Sequence, residues 1–217
     1  MKKFNFFLKR AFDIAVSFVV LVIVTVIPVM IIVPILIKLT SKGPAVFAQE
    51  RVGKDGKVFK IYKFRTMRIP EDSYAADGRQ LQPKERITKV GAFLRKTSLD
   101  ELMQLFNVLN GTMSIVGPRP MLPNQAAVLT EEQNRRHEMR PGVTGWAQVN
   151  GRNNLSWGEK IVFDIDYIQN FNFWFDIKIL FKTVAVVLKK DGIQFRDGDT
   201  LLNQGAKSAE KETTEVK

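Results

Sequence analysis

The strongest pattern in the chain is an apolar block near its start. From Ile14 to Ile37 about 24 residues pass without a charge, and about 20 apolar residues suffice for a helix to cross the hydrocarbon core of a bilayer. Pro28 and Pro34 interrupt the block, and each removes a backbone donor and crowds the preceding turn. Basic residues flank it on both sides: Lys2, Lys3, Lys9 and Arg10 before, Lys38 and Lys42 after. A straight spanning helix would carry one cluster across the membrane. A helix that enters, breaks near Pro28 and returns keeps both at the cytoplasmic leaflet, where anionic lipid attracts them. A Pro-kinked spanning helix is the competing reading. A cleaved signal fits poorly, because its apolar region is typically about 7–15 residues and ends in a small-residue site, which does not follow Ile37.

The remainder alternates polar and apolar positions at shorter range. Val46–Gln49 and Val58–Phe64 are rich in β-branched and aromatic residues around the turn Gly53-Lys54-Asp55-Gly56, which predicts a β-hairpin. Lys60, Lys63 and Arg65 alternate with Phe59, Ile61, Tyr62 and Phe64, the pattern of a half-buried strand with a solvated or phosphate-facing basic side. Arg68 to Lys84 reads as a long mobile loop able to cover a substrate. The spacing of Ile87, Val90, Phe93 and Leu94 predicts a helix over 85–96. Ser98 followed by Glu101 predicts a capping box opening a second helix through Leu109, with Asp100 and Glu101 in its first turn and Asn110-Gly111 as the stop. Ile179, Leu180, Val184, Val187 and Leu188 suit an amphipathic helix over 177–188, preceded by the aromatic run Phe171, Phe173, Trp174, Phe175. The fold expected is mainly α with a small β-hairpin. Residues 1–40 form the membrane element, 41–192 the catalytic domain and 193–217 a polar, disordered tail.

Composition narrows the chemistry. Thirty-three Lys and Arg against 22 Asp and Glu give a net charge of +11, which favours phosphate-bearing partners without choosing among lipid, nucleotide and nucleic acid. With no cysteine and only His137, thiolate catalysis and Cys- or His-based metal clusters are excluded. Catalysis must use carboxylates, hydroxyls or basic groups. Acids in a first helical turn are most often structural, since they complement the dipole. The same position can keep a carboxylate ionised as a nucleophile or a ligand for a hard metal. Two basic turns follow: Gly117-Pro118-Arg119-Pro120, either a rigid surface turn or one whose prolines aim a guanidinium suited to phosphate oxygens, and the glycine-rich stretch from Arg140 to Arg152, whose Trp146, Gln148 and Asn150 suit a nucleotide base, a sugar or a structured turn.

Taken in order, Lys9-Arg10-Ala11-Phe12-Asp13, the Pro-broken block, Tyr62-Lys63-Phe64-Arg65-Thr66-Met67, Ser98-Leu99-Asp100-Glu101-Leu102, Val116-Gly117-Pro118-Arg119-Pro120 and Arg140-Pro141-Gly142-Val143-Thr144-Gly145-Trp146 resemble the bacterial sugar transferases known as small monotopic phosphoglycosyl transferases, or polyprenyl-phosphate hexose-1-phosphate transferases. The resemblance covers residues 5–192. It implies a re-entrant helix in the inner membrane with a catalytic domain on the cytoplasmic face. It also implies transfer of a sugar 1-phosphate from a UDP-sugar to polyprenyl (undecaprenyl) phosphate with release of UMP, as the first membrane step of polysaccharide or glycoprotein glycan assembly. By position Asp100 is the nucleophile, Glu101 the Mg²⁺ ligand, and Arg95 and Arg119 phosphate contacts, with Lys63 and Arg65 as further candidates. Pro28 is the break, although Ile27 stands where familiar members carry serine. The partners implied are UDP-sugar, polyprenyl phosphate and anionic lipid, without nucleic acid, and a homodimer stays open. Two rivals remain at this level: a non-enzymatic membrane-anchored module binding anionic lipid or nucleic acid, and a one-step transferase using Asp100 as general base.

Overall fold

A computed structural model describes residues 2–26, 29–75, 77–151 and 155–189. The protein is mostly helical with two small sheets. Helices α1 (Lys2–Val26) and α2 (Val29–Thr40) take up the apolar block. Pro34 lies inside α2 without ending it. Pro28, named above as the break, lies outside the described residues, as does the tail from 190 onward. Among the described residues no helix is long and apolar enough to cross a membrane.

Both helices dock on the same globular part, and the contacts explain why. Lys9, Asp13, Ser17 and Leu21 recur every fourth residue and are all buried, so one stripe of α1 faces inward. Lys9 Nζ donates to the Val116 carbonyl at 2.7 Å and pairs with Asp176 at 2.6 Å. Asp13 accepts from Ser114 Oγ at 2.7 Å and from the Ile115 N–H at 3.0 Å. Arg10 donates to the carbonyls of Val108 and Leu109. Lys9 and Arg10, grouped above with the lipid-facing cluster, are therefore committed to the domain. At the far end of α2, Arg65 donates to the carbonyls of Ser41 and Lys42 and to Ser41 Oγ. The chain thus leaves the domain through α1 and returns to it through α2. Ile31, Ile32, Ile35, Leu36 and Leu39 of α2, with Phe4, Phe7, Ile14 and Phe18 of α1, stay exposed.

The hairpin forms as expected but longer: β1 (Val46–Val52) pairs antiparallel with β2 (Val58–Phe64), Gln49 opposite Ile61. The segment 68–84 is less open than its composition suggests. It holds a 3₁₀ turn at Pro70–Asp72, a bridge between Tyr74 and Gln80, and a bridge from Met67 to Ile87 that closes its base. Helix α3 (Lys89–Thr97) starts on Thr88, whose Oγ1 accepts from the Gly91 N–H at 2.9 Å. Helix α4 (Gln104–Leu109) then leads to β3 (Ser114–Val116). Short helices α5 (Pro123–Ala126) and α6 (Glu131–Asn134) precede β4 (Gly142–Thr144), which pairs parallel with β3. Helices α7 (Trp146–Asn150), α8 (Trp157–Gln169) and α9 (Phe173–Lys189) close the domain. The core gathers Leu105, Val108, Met113, Val116, Tyr167 and Ile179, with Phe171 and Phe175 packed against it. Trp174 and Phe181 remain three-quarters exposed.

Candidate active site

The acidic pair does not sit in the first turn of a capped helix. Ser98 takes a left-handed backbone (φ 57°, ψ 17°) and closes α3, donating its N–H to the Leu94 and Arg95 carbonyls. An N-cap needs extended dihedrals, so the residue that terminates one helix cannot also cap the next, and the expected capping box is absent. Asp100 and Glu101 instead occupy the 3₁₀ turn Leu99–Glu101, and α4 begins three residues later. Burial therefore has more influence on these acids than a helix dipole.

The two carboxylates have opposite surroundings. Lys63 Nζ, from β2, donates to Glu101 Oε1 at 2.7 Å, and Arg119 Nη2 reaches the same oxygen at 3.4 Å. Burial works to raise the Glu101 pKa, but Arg119 and Lys63 outweigh it and hold the group at about 2. Asp100 is 9% exposed and forms no ion pair among the described residues. Burial and the neighbouring Glu101 charge raise its pKa, against the pull of Lys63 and Arg95. Burial likewise lowers that of Lys63.

Arg95 and Arg119 are each positioned beside a close backbone approach. Gly91 lies so near the Thr66 carbonyl that a side chain there would collide with it. That contact seats α3 on the end of β2, and one turn later Arg95 Nε donates to Thr66 Oγ1 at 2.7 Å. Arg119 follows β3 in the Pro118-Arg119-Pro120 turn. Gly117 and Gly142 are pressed against each other's backbone, and Gly145 against the Gly117 carbonyl. The Gly117 N–H donates to the Thr144 carbonyl and the Gly142 N–H to that of Pro118, both at 2.9 Å. The two rigid turns read separately from sequence are thus one structure. Lys63 is fixed through Asn107, which accepts from the Tyr62 N–H at 3.1 Å and donates to the Lys60 carbonyl at 2.8 Å.

Asp100, Glu101, Lys63, Arg95 and Arg119 line one cavity of about 1000 Å³, the upper end of the usual range for small-molecule sites. Arg65 also borders it, but its guanidinium is turned to Ser41 and Lys42. Gln148, from the glycine-rich stretch singled out in the sequence, lines the same cavity, and so do Arg136 and Asp164, which sequence reasoning missed. Arg136 and Asp164, 2.6 Å apart, are nearly inaccessible. Burial raises Asp164 to about 6 against the attraction of Arg136 and Lys160, and it lowers the adjacent His137 to about 4 with help from the Arg136 charge. An acid at 164 facing one side of a helix that was not foreseen offered no distinguishing signal. Asn107 amid the apolar Leu102, Leu105, Phe106 and Leu109 was the one legible anomaly.

No cluster of three or more acidic or histidine residues able to hold a metal occurs among the described residues.

A family model described as bacterial sugar transferase matches residues 4–190. The chain is 47% identical over 187 residues to the uncharacterized sugar transferase EpsL of Bacillus subtilis, covering 86% of this chain and 90% of that protein. It is 47% identical over 189 residues to the UDP-glucose:undecaprenyl-phosphate glucose-1-phosphate transferase of Escherichia coli, covering 83% and 40%. To the undecaprenyl-phosphate galactose phosphotransferase of Salmonella typhimurium it is 42% identical over 206 residues, covering 88% and 42%. The chain therefore spans most of the first relative and about two fifths of the other two.

Proposed function

Because this chain belongs to the bacterial sugar transferase family, we propose that it transfers a sugar 1-phosphate from a UDP-sugar to polyprenyl phosphate through a covalent intermediate on Asp100. The observation that carries this reading is the unequal pair: Glu101 has two cations on one oxygen, while the neighbouring Asp100 has no ion-pair partner among the described residues and lines a cavity with Arg95, Lys63 and Arg119. A carboxylate neutralised by a salt bridge is a poor nucleophile, and one left unpaired beside phosphate-binding cations is a good one. Asp100 attacks the sugar-bearing phosphorus. A new O–P bond forms, the bond to the bridging oxygen breaks, and UMP departs with its electron pair. An oxygen of the lipid phosphate then attacks the same phosphorus and releases the Asp100 carboxylate, leaving the sugar on a polyprenyl diphosphate.

Division into two steps spares the protein from aligning two mutually repelling anions at once. Arg95 and Arg119 offset phosphate charge in each step, and their planar forks hold oxygens in fixed directions. Glu101 would hold Mg²⁺, which when bound supplies further charge neutralisation at the phosphate oxygens. The names of the relatives, which print glucose and galactose donors and undecaprenyl phosphate, support this reading. The non-enzymatic module gives the acidic pair no role. In a one-step transfer with Asp100 as base, the raised pKa would help, but no proton needs removal from an ionised lipid phosphate.

For the membrane element we read α1 and α2 as a re-entrant pair in the cytoplasmic leaflet of the inner membrane, supported by the docking of both its ends on one domain and by its exposed apolar side chains. The anchoring of the domain on the cytoplasmic face follows from the same reading.

The test of the chemistry is incubation with a labelled UDP-sugar and Mg²⁺ in the absence of lipid. One equivalent of UMP and a matching mass increase on Asp100 are expected. A preparation that turns over with lipid but shows neither would replace the covalent route with direct transfer.

A further inference from the structure

A second cavity, of about 250 Å³, lies between the first turns of α1, the turn of the β-hairpin and the segment that leads into β4. It shares no lining residue with the cavity of Asp100. Arg10, Lys54 and Arg140 bring positive charge to it from those three places, and Asp13 is the one acid on its wall. Both oxygens of Asp13 are already engaged, by Ser114 Oγ and the Ile115 N–H, and Lys9, also on the wall, is answered by Asp176. Arg10 and Arg140 have a structural duty here. Arg10 donates to the Val108 and Leu109 carbonyls and Arg140 Nε to that of Gly111 at 2.8 Å, so both guanidiniums satisfy the carbonyl end of α4. That duty does not account for the whole arrangement. The Arg140 charge acts unfavourably on Arg10, the terminal nitrogens of Arg140 bond to nothing among the described residues, and Lys54 meets an exposed Asp55 at 3.6 Å. Cations gathered on one concave wall with so little opposing charge attract an anion.

We infer that this cavity binds the phosphate of an anionic membrane phospholipid. A phosphate diester presents oxygens that a guanidinium fork holds in fixed directions, and Arg140 has its terminal N–H groups to spend. What selects a lipid over a free anion is the surface beside the cavity. Phe7, Ile14 and Phe18 stand three, four and eight positions from Arg10, so they share its side of α1, and all three are exposed. Asp13 is the last charge before the apolar block. The cavity therefore sits where the charged part of α1 gives way to the apolar part, and a headgroup in it would lay its acyl chains along Ile14 and Phe18. A zwitterionic headgroup would bring its own cation up to three others, whereas an uncharged glycerol headgroup adds none. The lipid held here is not the acceptor in its reacting position, because Asp100 lines a different cavity. Its phosphate would join α1, the hairpin turn and the segment before β4 through one residue of each.

The test compares full-length wild type, Arg140→Gln and Lys54→Glu in detergent, with melting curves to establish folding. Bound lipid is counted by native mass spectrometry as phosphatidylglycerol or phosphatidylcholine is added, with and without inorganic phosphate. Wild type should retain phosphatidylglycerol in preference to phosphatidylcholine, and each variant should weaken that retention by roughly tenfold, the size of one charge-assisted contact. Arg140→Gln also gives up the bond to Gly111, so a failure to fold would leave the decision to Lys54→Glu, whose side chain is exposed. Equal retention of the two lipids by wild type, or unchanged phosphatidylglycerol retention in folded Lys54→Glu, overturns the inference. Displacement of phosphatidylglycerol by an equal concentration of inorganic phosphate would assign the cavity to a free anion and overturns it as well. Retention in detergent needs neither turnover nor a bilayer, so the result stands apart from the sugar-transfer chemistry and from the re-entrant reading of α1 and α2.

Discussion

Lys63 Nζ and Glu101 Oε1 lie 2.7 Å apart, joining the end of strand β2 to the 3₁₀ turn that also carries Asp100. The pair does two things at once. It holds Glu101 ionised, and it brings a positive charge near Asp100 without bonding to it. Adjacent residues of similar chemistry acquire different roles because only one of them is within reach of the strand.

The first prediction concerns acid stability. The folded-state pKa of Glu101, about 2, lies below its ordinary 4.5. Folding therefore favours the charged form, and the contribution is fully present above 4.5 and lost as pH falls through about 2. It amounts to on the order of 3 kcal/mol. Thermal unfolding followed between about pH 6 and pH 2 should show a steeper acid loss in wild type than in Glu101→Gln. Parallel curves would remove the ion pair from the stability of the fold.

A second prediction tests how α1 is tied to the domain. Lys9 neutralises Asp176, which also accepts from the Tyr167 hydroxyl at 2.7 Å. Lys9→Met leaves a buried carboxylate with that hydroxyl alone, and the loss should be about 3–5 kcal/mol. The double variant Lys9→Met with Asp176→Leu should recover much of it, because the uncompensated charge is gone. Chemical denaturation in detergent, read as a double-mutant cycle, measures the coupling.

These two networks also show what was readable beforehand. The hairpin was legible because β-branched and aromatic runs surround a glycine-rich turn, and that signal is local. The acidic pair and both basic turns were legible because their residue types stand out in sequence. Ser98 was misread because Ser-x-x-Glu is a local signal that a preceding helix overrode, using the serine as its own terminator. The docking of Lys9 and Arg10 on the domain was not legible, since a basic pair beside an apolar block has the same pattern whether it faces lipid or carbonyls more than 90 residues away. The meeting of Gln148 and Asp164 in one cavity depends on the packing of α7 against α8, and α8 itself went unassigned. The joining of the Pro118-Arg119-Pro120 turn to Arg140–Gly145 rests on glycines chosen for contact and not for turn geometry.

That last point gives a third prediction. Gly117→Ala would drive a methyl group into the Arg140 carbonyl and the Gly142 backbone. Overpacking of this kind costs about 1–3 kcal/mol. The larger effect should be catalytic, because a displacement of about 1 Å at Arg119 can lower the rate on the order of 100-fold. Steady-state UMP release by a variant that still melts cooperatively checks it; full activity would mean that Arg119 does not need this anchoring.

Topology supplies a fourth. The chain has no cysteine, so single cysteines at Lys3 and Lys42, both exposed, can be probed with an impermeant thiol reagent in intact cells. The re-entrant reading expects both to be protected until the membrane is opened. Labelling of one alone in intact cells would show that the apolar block crosses.

The last prediction separates the two roles of the basic residues. Arg95 is among the charges that pull the Asp100 pKa down, whereas Arg119 acts on Glu101 and is not among them. Asp100 must be ionised to attack, so adduct formation should rise with pH along a limb lying above the ordinary carboxylate value, 3.8. Removing the Arg95 charge raises the Asp100 pKa further and should move that limb to higher pH, besides lowering the plateau through loss of a phosphate contact. Arg119→Gln should lower the plateau, on the order of 10–100-fold for a lost charge-assisted contact, and leave the limb in place. Rates of adduct formation on wild type, Arg95→Gln and Arg119→Gln across the acid range measure both quantities. A limb that stays fixed in Arg95→Gln would mean that the ionisation governing attack belongs to another group, and would remove Asp100 as the nucleophile.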